Sequence, residues 1–342
     1  MYYLLKYNKP EMTVDVHHHY FGESMMAELD AMLTDRIGPE ASMSRYYESD
    51  EVGLSTEEPA ERVQMMDEWG LERAVLSFPA PGEFVDERHL KRPEIHAAFS
   101  SIVNDHLADA CQQHPDRLLG FASIPLVSVD DAVEELQRSV ETLGLHGIVL
   151  DTNVFGRYLT DESFAPFFER ADDLGVPIFV HPANPGGADR MDDFYLESMI
   201  GFPFDTTLAA TRMVFSGVLE RYRDLNIVLS HLGGALPYLV KRLAALYDPD
   251  DPEFERGAVH PLEKPPERYL EDFWYDTALS FPGAMDMAVD LVGDRLLLGS
   301  DYPFGPADSV AESIDQVTHL EDPDLAAHVR GANARSILLN LD

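Results

Sequence analysis

The chain has a single cysteine, Cys111, in 342 residues. An intrachain disulfide is therefore excluded, and so is a zinc site built from thiolates. Lysine is nearly as scarce: Lys6, Lys9, Lys91, Lys241 and Lys264 are the whole set. No run approaches the ~20 apolar residues needed to span a bilayer. Met1–Lys6 lacks the long apolar stretch of a secretory leader, so a cytoplasmic chain is expected. Positive charge is short as well, with 25 Lys+Arg against 62 Asp+Glu and a formal net charge of -37. Such a surface repels phosphate backbones, which disfavours nucleic-acid partners, and it repels anionic membranes for the same reason. Self-repulsion at this charge destabilises a compact state in dilute buffer, whereas a Debye length of ~3 Å at 1 M salt screens it. Few lysines, many acids and no acidic tail read as a protein of a salt-loaded cytoplasm, a halophile.

What the chain does contain is a recurring alternation. Short apolar runs fall at 12–16, 74–78, 118–124, 147–150, 176–180, 227–229, 273–275 and 295–298. Their length and β-branched and aromatic content suit buried parallel strands. Amphipathic patterns lie between or after them, at 59–68, 95–113, 129–143, 164–174, 206–222, 235–247, 284–291 and 324–338. Strand–helix alternation implies a parallel sheet with right-handed crossovers. Eight units predict an α/β fold, a (β/α)8 TIM-like barrel, as one domain over residues 1–342. No Gly-rich phosphate loop follows an early strand, which weakens a dinucleotide-binding sheet. Phe21–Glu58, rich in Met, Tyr and acids with no clear strand, is expected to be a small inserted lid after strand one.

Catalytic groups in such a barrel stand at the C-terminal ends of the strands. Strand one ends Asp15-Val16-His17-His18-His19, strand five Val180-His181-Pro182, strand six Ser230-His231-Leu232 and strand eight Ser300-Asp301-Tyr302. Alternation along a strand turns His17 and His19 the same way and His18 the other. Barrel closure brings strand eight, with Asp301, beside strand one, and His181 projects from the opposite wall. Three imidazoles and a carboxylate suit one divalent ion, Zn²⁺ first and Mn²⁺ as the alternative.

These motifs, with the stretch Gly201-Phe-Pro-Phe-Asp-Thr-Thr-Leu-Ala-Ala, resemble the amidohydrolase superfamily. The narrower resemblance is to its amidohydrolase-2 branch, that of aminocarboxymuconate-semialdehyde decarboxylase and related aromatic-acid decarboxylases. It covers nearly the whole chain and implies a single ion held by His17, His19, His181 and Asp301, with His231 working beside the ion's water. No lysine lies between Lys91 and Lys241, so the carboxylated lysine that bridges two ions in other members has no counterpart; strand four ends in Asp151. His231 and Asp301 are the expected catalytic pair, His231 as general acid/base because imidazole titrates near neutral pH. His18 and Asp15 are read as hydrogen-bonding supports. A small carboxylic-acid substrate needs a cationic clamp. Arg242 matches a family arginine that reaches a neighbouring subunit's substrate, which implies a homodimer, and Arg45 in the lid is a second candidate. The expected reaction is non-oxidative decarboxylation of an unsaturated or aromatic acid; hydrolysis of a lactone or amide at the same site is the alternative.

Overall fold

The computed structural model describes residues 12–44, 56–79, 81–248, 250, 262–305 and 308–340. Eight parallel strands follow one another around a barrel in chain order. They are β1 (Val14–His19), β2 (Arg73–Ser77), β3 (Leu118–Ser123), β4 (Gly147–Asp151), β5 (Ile178–His181), β6 (Ile227–Leu229), β7 (Phe273–Asp276) and β8 (Leu296–Leu297). The barrel closes through backbone bonds between its first and last strands. Val16 N–H donates to Leu298 C=O at 2.9 Å, Asp301 N–H to His17 C=O at 2.9 Å and His19 N–H to Tyr302 C=O at 2.8 Å. The expected (β/α)8 barrel is the fold observed.

The strand interior is a plug of Val14, Val16, Val75, Leu119, Phe121, Val149, Phe179, Val228, Trp274 and Leu297. A second cluster binds the outer face of the sheet to the helices. The helices that matter below are α1 (Glu23–Arg36), α2 (Pro59–Trp69), α3 (Pro93–Gln113), α4 (Val129–Gln137), α5 (Ala165–Leu174), α6 (Phe202–Ser216), α7 (Leu236–Leu246), α8 (Pro282–Val292) and α9 (Ser309–Thr318). The strands are apolar throughout because both their faces are buried, and the helices are amphipathic because only one of theirs is.

Several local features depart from the simple pattern. The helix expected through 143 becomes a π turn at Arg138–Thr142. The one expected at 206–222 breaks at Gly217, whose φ of 74° ends α6 before Val218–Arg221. The segment after β1 contains α1, whose Met25, Met26, Leu29 and Leu33 are buried. α9 was not anticipated, although Val310, Ile314 and Val317 form its apolar stripe.

β1 carries a bulge. Val14 and Asp15 pair with Arg73 and Ala74, but His18 and His19 pair with Leu76 and Ser77. Val16 and His17 therefore stand opposite Val75 alone, the two-against-one arrangement of a bulge. The extra residue lets Val14 and Val16 plug the barrel while His17 and His19 also face inward above them.

Candidate metal centre

The strand ends bring the predicted side chains together. His17 Nε2 lies 3.2 Å from His19 Nε2. Asp301 Oδ1 lies 3.0 Å from His17 Nε2 and 3.3 Å from His19 Nε2. The His181 ring centre is 4.9 Å from that of His19 and 5.2 Å from that of His17. His231 Nε2 approaches the other oxygen of the same carboxylate, Asp301 Oδ2, at 3.2 Å. One ligand atom each from His17, His181, His231 and Asp301 fall within 4.8 Å of one another. His18 points away, as strand parity requires: its Nδ1 is 2.8 Å from Asp15 Oδ2 and its ring stacks on Tyr302 at 5.2 Å.

The arrangement fits a divalent cation. Donors bound about 2.0–2.1 Å from one ion stand about 3.3 Å apart across a tetrahedron, close to the 3.0–3.3 Å measured among His17, His19 and Asp301. Asp301 Oδ1 is buried and accepts no hydrogen bond, although two ring nitrogens face it, and the Nδ1 atoms of His181 and His231 are also buried without partners. Burial lowers the affinity of His17 for a proton, but Asp301 and Asp276 outweigh it and raise its pKa to about 10. Burial would also raise Asp301, yet the charge of His17 and the ring nitrogens of His19 and His231 beside it hold it well below the usual carboxylate range. His181 is held well below the ordinary imidazole value by burial and by its histidine neighbours. The charges that the protein brings here are negative, and a cation is the complementary occupant.

Two supports escaped the sequence reading. Asp276, fully buried at the end of β7, places Oδ2 2.7 Å from His17 Nδ1. Its Oδ1 accepts from the backbone N–H of His231 and of Ala278, each at 2.9 Å. Ser77 Oγ lies 3.0 Å from His19 Nδ1. Such outer groups fix which nitrogen a histidine presents to a metal. The signal for Asp276 was present, because the run Phe273–Tyr275 is followed by an acid just as five other runs are followed by His or Asp. Gly299 makes room for the pair: a Cβ there would lie 2.9 Å from Asp276 Cβ and 3.0 Å from His17 Cβ. Asp15 is the acceptor it was expected to be, taking bonds from His17 N–H at 3.0 Å, Ser300 N–H at 3.1 Å and Ser300 Oγ at 2.6 Å.

His231 and Asp301 both sit in left-handed backbone, with φ of 53° and 62°. Non-glycine residues there are held by their surroundings and gather at functional sites. The loop that carries His231 is pinned from behind by Gly234. At its φ of 65° a Cβ would fall 1.9 Å from the Pro203 carbonyl oxygen and 2.7 Å from Thr207 Oγ1. Gly234→Ala is expected to displace this loop from α6, cost on the order of 1–3 kcal/mol in strain and lower both the thermal midpoint and turnover. A melting curve and an activity assay on the same preparation check it, and a wild-type profile in both would contradict it.

A cavity of about 980 Å³ opens over the centre, with His181, His231, Asp301, Tyr195, Phe281 and Phe304 among its walls. Its described lining contains no Lys or Arg. Arg242 does not enter the cavity of its own chain; it is exposed on α7 and has no hydrogen bond or ion pair among the described residues. Tyr238, one turn earlier on that helix, is 77% exposed. Arg45 lies outside the described residues. No helix among the described residues is long and apolar enough to cross a membrane.

A barrel with this ring of histidines and one aspartate at its mouth is the architecture of a metal-dependent hydrolase-like enzyme. The chain belongs to the amidohydrolase family, whose profile matches residues 14–338. It is 33% identical over 216 residues to the 2-amino-3-carboxymuconate-6-semialdehyde decarboxylase of Dictyostelium discoideum, a match covering 62% of this chain and 58% of that protein. It is 31% identical over 266 residues to the gamma-resorcylate decarboxylase of Rhizobium sp. (strain MTP-10005), covering 73% and 78%. The solved structure of 5-carboxyvanillate decarboxylase LigW from Sphingomonas paucimobilis shares the fold, with a TM-score of 0.80 at 24% identity over 96% of this chain and 98% of that one.

Proposed function

We propose that this protein is a metal-dependent, non-oxidative decarboxylase of a small aromatic or unsaturated carboxylic acid. The observation that carries the reading is the meeting of His17 and His19 with one oxygen of Asp301, with the His181 ring beside both histidines, while His231 stands on the cavity side of the same carboxylate. The decarboxylases among its relatives support it. A divalent ion held by His17, His19, His181 and Asp301 supplies positive charge to substrate oxygens; Zn²⁺ is the first candidate and Mn²⁺ the second. The net reaction converts R–COO⁻ and H⁺ into R–H and CO2. The proton is placed on the carbon that bears the carboxylate, using a pair from the π-system, and the bond to CO2 then breaks with its electron pair returning to the π-system. His231 Nε2 is the proton donor, and Asp301 Oδ2 orients its ring and balances its charge. Phe281 and Phe304 give the ring or π-system of the substrate a flat apolar wall.

A carboxylate entering a cavity without a basic side chain among its described walls draws a cation from elsewhere. We assign that role to Arg242 of a second copy, in a homodimer, with Arg45 as a further clamp. Exposed, unpaired Arg242 beside exposed Tyr238 supports this. The segment 21–58 is taken as a lid on the same single barrel domain. Mixing His231→Ala and Arg242→Ala chains, each inactive alone, should restore part of the activity, because one site of the mixed dimer has its own His231 and its partner's Arg242. No recovery in a mixture that light scattering shows to be dimeric would refute the shared site.

The decisive assay incubates the purified protein, loaded with Zn²⁺ or Mn²⁺, with hydroxybenzoates, carboxymuconate semialdehydes and lactones. CO2 release from an acid is the expected result; acid release from a lactone without CO2 would replace decarboxylation by hydrolysis. The charge of -37 supports a salt-loaded cytoplasm as the setting. Its thermal midpoint should climb between about 0.1 M and about 1 M KCl, as the Debye length falls from ~10 Å to ~3 Å. A flat midpoint would remove the halophilic assignment.

A further inference from the structure

Arg62 is buried completely, on the first turn of α2, in a protein whose other charges lie mostly on the surface. Its Nη1 donates to the carbonyl oxygen of His19 at 3.0 Å. Its guanidinium pairs with the carboxylate of Glu57, itself only 4% exposed. Its plane lies over the Tyr302 ring, 4.8 Å from the ring centre, and 5.5 Å from that of Tyr20. Tyr302 follows Asp301, and its carbonyl accepts from His19 N–H at 2.8 Å. The guanidinium thus touches the main chain of one proposed ligand and the ring next to another. Glu57 also ties off the inserted segment, since its N–H donates to the Phe21 carbonyl at 3.2 Å.

A buried ion pair is a poor stabiliser. Desolvation consumes most of the Coulombic gain, and well-packed neutral side chains of similar volume often serve as well or better. A pair placed where it holds the carbonyl of a ligand residue calls for another explanation. We propose that Arg62, set by Glu57, is a positioning residue that fixes the direction of His19 and of the Asp301–Tyr302 turn, and so ties the neck of the inserted segment to the metal centre. This rests on the assignment of His19 and Asp301 as ligands. A planar fork is suited to the task, because one side can hold the carboxylate while another donates to the carbonyl.

The test uses metal-free full-length protein titrated with Mn²⁺ and followed by electron paramagnetic resonance. The E57Q/R62M variant removes both charges while nearly keeping volume. Its metal-free melting temperature should equal or exceed that of the wild type, while its Kd for Mn²⁺ weakens about tenfold or more. A purely structural pair would not separate those two readouts. R62K keeps the positive charge but not the fork, should retain the fold, and should weaken Mn²⁺ binding in the same direction. An unchanged Kd in either variant overturns the proposal. His19→Ala is the control for the reading beneath it: if that variant binds Mn²⁺ as the wild type does, the ligand assignment fails, which is a different failure from that of Arg62.

Discussion

His231→Ala is expected to keep about one divalent ion per chain while kcat falls about 10²–10⁴-fold, the usual contribution of a positioned acid or base. The geometry allows two assignments. One ligand atom each from His17, His181, His231 and Asp301 lie within 4.8 Å of one another; in the alternative, His19, 3.2 Å from His17 Nε2 and 3.3 Å from Asp301 Oδ1, takes the place of His231. The hydrogen bonding separates them. His17 and His19 converge on Asp301 Oδ1, whereas His231 approaches Oδ2. His19 has its Nδ1 beside Ser77 Oγ at 3.0 Å, as a ligand held by an outer group should. The side chain of His231 is 14% exposed toward the cavity where that of His19 is 0%. His231 is therefore the residue with access to substrate. Bulk metal analysis beside a CO2 assay decides. His17→Ala and His19→Ala should empty the site and His18→Ala should not, because the His18 ring is occupied by Asp15 and Tyr302. Equal metal loss from His231→Ala and His19→Ala would move His231 into the ligand set and leave the proton donor unassigned.

The barrel was legible because each strand must bury both faces, which leaves short apolar runs that a linear reading detects. The candidate site residues were legible because polar residues at the ends of such runs have no packing role to fill. His17 and His19 were paired correctly by alternation alone, although alternation would not have set Val16 and His17 on the same side of the barrel. That depends on the bulge opposite Val75, and a bulge comes from register with a neighbouring strand. Asp276 lies 259 positions from His17, so no local pattern joins them, and the strand that carries it had been ended one residue too early. Arg62 was hidden for a related reason: one arginine in an amphipathic helix looks solvated until its face is known. α1 was missed because its methionine-rich buried face gives a weak apolar stripe, whereas α9 carries a clear one in Val310, Ile314 and Val317 that went unread.

Asp276→Ala should injure both the metal centre and the fold. The carboxylate serves three groups at once: His17 Nδ1 at 2.7 Å and the N–H of His231 and Ala278, each at 2.9 Å. Loss of the first releases the His17 ring and its choice of nitrogen, an effect of about 10–100-fold on metal affinity. Loss of the other two strands buried amide donors at about 1–3 kcal/mol each, so the metal-free protein should lose about 2–6 kcal/mol. Asp276→Asn separates the two effects. Its amide oxygen can still accept from the two backbone groups, which retains most of the stability. Its amide nitrogen then faces His17 Nδ1, where a donor meets the hydrogen that the ring must present outward to keep Nε2 free for the ion. The asparagine variant should therefore fold nearly as well as the wild type and bind Mn²⁺ much more weakly, whereas alanine loses on both counts. Denaturant curves on metal-free protein and Mn²⁺ titrations on the same samples give the comparison. If the asparagine variant binds the ion with wild-type affinity, Asp276 only supports the backbone of the β6 and β7 loops, and the orientation of His17 comes from its contacts with Phe179 and His181 instead.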